Sequence, residues 1–194
     1  MSDSDRDVAA LLLRLGLGPM LIAHGANKAF GAGGFEGTTG WFESLGLRPA
    51  GLHARLAAST EIGAGAAITV GALNPLPAAA VVGLMATAAA TDHKGKGFFV
   101  FKGGWEYTGI VGIAAVALAA LGSGRWSFDR LTGRNRSGKK AALFAAVFGL
   151  VNAGALLAAF YRPNAPAVDG PDGLDGSDAG EEPVVDVDGV PTAP

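Results

Sequence analysis

The chain has 194 residues, of which 49% are hydrophobic, 16% are charged and 31 are glycine. A soluble domain carries about 25% charged residues, so this composition favours a membrane protein. The sequence contains no cysteine, which excludes disulfides, thiol catalysis and cysteine-ligated iron–sulfur clusters within this chain.

Charge is unevenly distributed along the chain. All fifteen basic residues and nine of the seventeen acidic residues lie within residues 1–162, whereas the other eight acidic residues follow residue 168. A basic excess in a membrane protein marks loops that face the cytoplasm or anionic lipid, so we expect contact with lipid and none with nucleic acid. Residues 162–194 are rich in proline, glycine and acid and have no apolar period, which predicts a disordered acidic tail.

The order of apolar stretches predicts the fold. Residues 1–7 are acidic, unlike the basic start of a secretory signal, and we expect this short N-terminal segment to be retained. Five apolar stretches follow, each near the ~20 residues that cross a bilayer. We predict an all-α membrane protein with a four-helix transmembrane core in residues 8–130 and a fifth transmembrane helix over residues 141–161. The five predicted spans are Val8–Phe30, Leu56–Leu73, Pro75–Thr91, Trp105–Leu121 and Ala141–Tyr161.

Two connections add detail to this prediction. Asn74, Pro75 and Pro77 leave room only for a tight turn, so the second and third spans are predicted to form an antiparallel hairpin. Residues 33–50 place aromatic and leucine residues among glycines and a few charges. This segment is too short and too polar to cross, and we expect it to lie in the membrane interface as a short amphipathic helix.

Basic residues crowd the connection before the last span, in residues 122–140. The positive-inside rule therefore predicts that this connection, including the basic loop 131–140, is cytoplasmic. Five spans then put the N-terminus in the cytoplasm and the C-terminus outside the cell. The basic residues of the connection are Arg125, Arg130, Arg134, Arg136, Lys139 and Lys140.

Ionisable residues within spans are costly in lipid and by default indicate either function or a specific buried pair. Along the first span, His24 and Lys28 share a helical face, and Arg14 falls on the same side of the cylinder. The end of the first span and the start of the second should meet the end of the third and the start of the fourth at one membrane surface. We therefore predict a ligand-binding or buried polar cluster of Arg14, His24, Lys28, Glu61, Asp92, His93, Trp105, Glu106 and Tyr107.

Two interpretations of this cluster stay open. It is either a structural network, in which His24 and Lys28 neutralise Glu61 and Glu106, or a headgroup site for a quinone or lipid. In the second case His24 is a donor and a carboxylate is a proton acceptor. Nearby aromatic residues form either an interfacial belt or a lined pocket, and no metal site or catalytic residue is predicted. These aromatic residues are Trp41, Phe98, Phe99, Phe101, Trp105 and Tyr107.

A family resemblance follows from five segments. They are RLGLGPMLIAHGANKAFG (14–31), the glutamate in ASTEIGAGAAITVG (Glu61), MATAAATDHKGKGFF (85–99), GGWEYTGI (103–110) and LGSGRWSFD (121–129). In order and spacing these segments resemble the DoxX family of small bacterial membrane proteins. The resemblance covers about residues 10–130 and implies a four-helix core in a bacterial inner membrane, leaving the fifth span and the tail outside it.

The resemblance also implies a functional setting. Related proteins are subunits associated with thiosulfate:quinone oxidoreduction. Actinobacterial members are implicated in membrane assemblies with superoxide dismutase and a sulfurtransferase that handle oxidative and thiol stress, and the Ala- and Gly-rich composition suits an actinobacterial source. We expect a non-catalytic accessory subunit of a respiratory or redox-defence complex, with protein subunits as partners and quinone as the candidate cofactor. Two alternatives are a quinone-reactive oxidoreductase subunit of the thiosulfate:quinone type and a b-type haem protein with His24 and His93 as axial ligands.

Overall fold

The structure is a computed structural model that describes residues 2–163, so residues 164–194 of the predicted tail lie outside the described residues. Within residues 2–163 the chain is all-helical, and a single antiparallel bridge joins Leu47 to Tyr161. A 3-10 turn over Val100–Lys102 precedes the fifth helix. The helices are α1 (Asp3–Phe30), α2 (Gly34–Ser44), α3 (Ala50–Val70), α4 (Leu76–Ala90), α5 (Glu106–Leu121), α6 (Phe128–Leu131) and α7 (Lys139–Phe160).

The ends of α1 and α3 follow from local sequence. Ser2 and Asp5 form a capping box at the start of α1, in which each residue's side chain accepts a hydrogen bond from the other's backbone N–H. α3 begins at Ala50 rather than at the expected Leu56, because the chain becomes helical directly after Pro49. It ends at Gly71, whose φ of 69° lies in the left-handed region that favours glycine.

Four helices form a closed ring in which α1 packs on α3, α3 on α4, α4 on α5, and α5 back on α1. α7 packs against α4 and α5, and α2 packs against α1 and α3. The end of α7 also joins the α2–α3 connection, where Arg48 N–H donates to Phe160 O at 3.0 Å and Arg162 N–H donates to Gly46 O at 2.7 Å. The fifth apolar stretch is therefore an integral part of the bundle.

Glycine allows α1 and α3 to pack backbone against backbone. A Cβ atom at Gly25 would lie 2.7 Å from Ala58 O, and one at Gly65 would lie 2.7 Å from Gly18 O. Contacts this short leave no room for a side chain, so these positions require glycine, as is typical of close helix pairs in membranes. Gly63, which also counts among the small residues of α3, faces open space.

Large apolar side chains cover much of the outside of the bundle. Leu12 on α1, Ile113 on α5 and Val151 on α7 are all more than half exposed. By length and composition, α1 and α7 are the two helices within the described residues that could cross a membrane, whereas α4 and α5 are apolar but shorter. Three charged side chains of the described residues, those of Arg14, Glu61 and Asp129, are in contrast buried.

Candidate functional site

An ion pair between Lys28 and Glu61 connects α1 to α3. Lys28 lies in the last turn of α1 and Glu61 near the middle of α3. The Lys28 Nζ donates to both carboxylate oxygens, at 2.8 Å to Oε1 and 2.7 Å to Oε2. Glu61 is only 4% exposed, so its charge depends on Lys28 rather than on water.

A second polar contact lies beside this pair and joins α1 to α5. The hydroxyl of Tyr107 lies 3.3 Å from His24 Nε2 and 3.2 Å from Met20 Sδ. Glu61 interacts electrostatically with both His24 and Tyr107. The four residues His24, Lys28, Glu61 and Tyr107 therefore form one polar cluster between α1, α3 and α5, called the Glu61 cluster below.

The Glu61 cluster combines groups suited to hydrogen bonding and proton exchange. It contains an ammonium donor, a carboxylate acceptor, a phenol and an imidazole. The Tyr107 hydroxyl can donate its one proton either to Met20 Sδ or to His24 Nε2. When it donates to Met20, a His24 imidazole protonated at Nε2 can donate to the Tyr107 oxygen, so the direction of this hydrogen bond depends on the imidazole tautomer. His24 is exposed at the bundle surface, whereas Glu61 is buried, so the cluster extends from the surface into the interior.

Asp92, His93 and Glu106 form polar contacts within the α4–α5 connection, and none of these contacts reaches Lys28 or Glu61. His93 Nδ1 lies 2.6 Å from Gly103 O, and Glu106 accepts a hydrogen bond from Val100 N–H. Asp92 pairs with Lys96 and His93. The connection from α4 to α5 folds back on itself and pairs these residues locally, so Glu106 is not neutralised by Lys28. His24 and His93 accordingly have different polar neighbours.

The aromatic residues of the α4–α5 connection pack on one another. Phe98 contacts the ring of Trp105 at 5.0 Å between centroids, and Phe99 stacks on Phe101 at 5.3 Å. All four side chains are exposed. They therefore form a surface group next to the start of α5, while Trp41 contacts Phe42 on the separate helix α2.

Arg14 also lies apart from the Glu61 cluster, which corrects its predicted place in it. Arg14 shares a face of α1 with His24, but ten residues of helix separate the two by about 15 Å along the axis. Its guanidinium donates to four carbonyl oxygens at the other end of the bundle, at distances of 2.8 to 3.1 Å. The acceptors are Ile68 and Thr69 in the last turn of α3, and Ser123 and Trp126 after α5.

Sequence reasoning missed the acidic member of this second network. Asp129, 1% exposed, accepts hydrogen bonds from the backbone N–H groups of Leu73 and Asn74 and from the Ser123 hydroxyl. It also interacts electrostatically with Arg14. The segment LGSGRWSFD contained the signal, because its Asp129 is the only acid within the basic residues 122–140.

His53 is a further buried polar residue that the sequence did not single out. It lies in the first turns of α3, with its ring 5.0 Å from that of Phe160 at the end of α7. Within residues 2–163 its Nε2 atom has no hydrogen-bond partner. Its position contributes to the contact between α3 and α7.

Exposed apolar helix faces together with charged residues buried between helices define an all-helical membrane protein. Residues 9–94, somewhat less than half of the chain, match the family model of DoxX, and this match supports membership of the DoxX family. The match confirms the resemblance over residues 9–94, which include His24, Lys28 and Glu61. The segments 103–110 and 121–129, and Tyr107 with them, lie beyond it. No curated protein and no solved structure matches the chain.

Proposed function

We propose that this DoxX protein is a multi-pass accessory subunit of a respiratory or redox-defence membrane complex, and that the Glu61 cluster binds the polar head of a quinone. The observation that carries the proposal is the buried Lys28–Glu61 pair beside the His24–Tyr107 contact. A charged group inside the membrane costs free energy, and its presence there by default indicates a functional role. The family resemblance supports the redox setting.

The proposal includes five transmembrane helices, α1, α3, α4, α5 and α7. The 15 residues of α4 rise only about 22 Å, short of the ~30 Å of hydrocarbon. A helix of this length is accommodated by local thinning of the bilayer and by packing against longer neighbours. α4 packs against α3, α5 and α7, and its exposure to lipid is accordingly limited.

The proposed orientation puts the connection before α7 in the cytoplasm and the C-terminus outside. We expect a tag at Pro194 to be labelled on intact spheroplasts, and a tag inserted at Asn135 only after permeabilisation. Asn135 is exposed, so an insertion there should leave the fold intact. Labelling of the Asn135 tag on intact spheroplasts would contradict the orientation and move the Glu61 cluster to the cytoplasmic side.

The Glu61 cluster has the chemistry that a quinone head requires. Quinone carbonyl oxygens accept hydrogen bonds, and Lys28, His24 and Tyr107 are donors within one group. Glu61 supplies a carboxylate that can accept a proton. Because His24 is exposed on the apolar outer surface of α1, an amphiphile could reach it from the lipid without crossing the core.

Tyr107→Phe tests this site with a minimal change. It removes the hydroxyl beside His24 and keeps the ring, so we expect bound quinone to fall at least fivefold while thermal stability changes by less than about 1 kcal/mol. The measurement is quinone content in an organic extract of protein purified in mild detergent. Tyr161→Phe is the matched control, since the Tyr161 ring lies 5.4 Å from Lys94 Nζ and is not part of the Glu61 cluster. Equal quinone content in the two variants would argue against the site.

The subunit proposal is tested by the same mild purification. A stoichiometric protein partner that is retained with the wild-type chain supports the accessory role. Electron transfer to quinone by the isolated protein would instead support a quinone-reactive oxidoreductase subunit. The chain itself has no cysteine, so handling of thiosulfate sulfur through a protein thiol requires a partner.

A further inference from the structure

A cavity of about 440 Å³ lies beside the N-terminal turns of α7, at the end of the bundle opposite to Lys28. Its lining includes Asn135, Arg136 and Ser137 from the connection before α7, Leu76 from α4, and Lys140 and Phe144 from α7 itself. This volume is within the ~300–1,000 Å³ of typical small-molecule sites. The cavity shares no residue with the Glu61 cluster.

One part of the lining is cationic. Arg136 and Lys140 are exposed, and within residues 2–163 neither forms an ion pair with a carboxylate. The acid nearest in sequence, Asp129, is occupied by Leu73, Asn74 and Ser123. No carboxylate of residues 2–163 therefore neutralises the two positive charges, and they can bind an anion.

The other part of the lining is apolar and continues along α7. Phe144 stacks on Phe148, with ring centroids 5.1 Å apart, and Val151 follows on the same helical face. Phe148 and Val151 are about half exposed or more. A cationic recess that opens onto an apolar strip matches a molecule with an anionic head and a hydrocarbon chain.

The position of the recess is fixed by a contact to the adjacent turn. The Asn74 side chain donates to Arg136 O at 2.8 Å and to Ala119 O at 3.2 Å. This contact holds the connection before α7 against the α3–α4 turn and the end of α5. The backbone that carries Arg136 is therefore held in place before a ligand binds, which reduces the conformational entropy lost on binding.

We propose that this cavity binds the phosphate of an anionic glycerophospholipid through Arg136 and Lys140, with an acyl chain lying along Phe144, Phe148 and Val151. Ser137 and Asn135 offer additional hydrogen-bond donors to the phosphate. The assignment goes beyond the proposed quinone site and does not depend on it, because the two sites are at opposite ends of the bundle.

The test is native mass spectrometry of the full chain released from micelles doped with phosphatidylglycerol or phosphatidylcholine. We expect phosphatidylglycerol adducts on the wild type, and an apparent affinity about 20-fold weaker for R136Q/K140Q, since each cation near a lipid head is worth about fivefold. The matched control is R134Q/K139Q, which removes the same charge from the connection and the first turn of α7, at residues that do not line the cavity. Circular dichroism checks that both variants stay folded.

Three results would overturn the proposal. They are an equal loss of adducts in R134Q/K139Q, equal binding of phosphatidylcholine by the wild type, and displacement of the lipid by inorganic phosphate at equal concentration. The last result would assign a free-anion site. Phe144→Ala separates the acyl-chain contact, because it should weaken phosphatidylglycerol binding about fivefold while leaving the cationic groups unchanged.

Discussion

Glu61→Gln is expected to destabilise the protein by on the order of 3–5 kcal/mol, the loss seen when one partner of a buried ion pair is removed. The Lys28 ammonium donates to both Glu61 oxygens and has a side chain only 16% exposed. A neutral amide in place of the carboxylate would leave that charge without an adequate partner. Thermal or denaturant unfolding of the purified protein in detergent measures the effect.

The double variant Glu61→Gln with Lys28→Met identifies the origin of the loss. If the two residues form a mutual pair, the double variant recovers much of the stability, because no unpaired charge remains. Glu43→Gln is the control, because it also removes the acidic partner of an ion pair, in this case an exposed one. Its ion pair with Arg48 is 3.4 Å long and more than half exposed on both sides, so a change below about 1 kcal/mol is expected.

The same variants separate a structural role from a ligand site. If Glu61→Gln retains its stability but loses bound quinone or its protein partner, the cluster serves a ligand. Additive losses in the double variant would show that Glu61 and Lys28 stabilise the bundle independently. A variant that is normal in stability, quinone content and partner binding would remove the Glu61 cluster from consideration as a functional site.

The sequence was sufficient to predict the Lys28–Glu61 neighbourhood, because single charges inside apolar stretches have few possible partners. His24 and Lys28 are four residues apart on one helix. Glu61 lies within a predicted span, away from any loop where water could solvate its carboxylate. The side chains therefore had to meet inside the bundle. The same reasoning put both Glu106 and Tyr107 in the cluster and could not select Tyr107 as the one that contacts α1, since that depends on the rotation of α5 about its axis.

The local pairing of Asp92, His93 and Glu106 could not be predicted because it depends on loop conformation. Gly95, Gly97 and Gly103 all have positive φ, which lets the α4–α5 connection fold back and satisfy these side chains itself. The convergence of helix ends predicts at which membrane surface these side chains lie, but it does not predict which residues form hydrogen bonds or ion pairs with one another. For Arg14, the side of α1 was predicted, but its position along the helix axis puts it near Ser123 and Trp126 instead of Glu61.

Arg14→Met should be as damaging as the loss of Glu61, again on the order of 3–5 kcal/mol. The substitution keeps an apolar stem of similar length but removes the donors to four carbonyl oxygens from two segments of the chain. It also leaves the buried Asp129 without its nearby positive charge. Arg14→Lys should recover only part of the loss, because an ammonium cannot reproduce the planar fork of a guanidinium.

Arg6→Met is the matched control for Arg14→Met, since Arg6 lies on the same helix but is exposed, and it should be neutral within about 0.5 kcal/mol. Asp129→Asn should act on the same network, because an amide nitrogen cannot accept the hydrogen bonds that both carboxylate oxygens receive. Amide hydrogen exchange should therefore accelerate at residues 71–75 and 123–129 in both network variants, while the residues around Lys28 stay protected. If Arg14→Met proves as stable as Arg6→Met, with unchanged exchange in those two segments, the four carbonyls find other donors and the network does not hold this end of the bundle together.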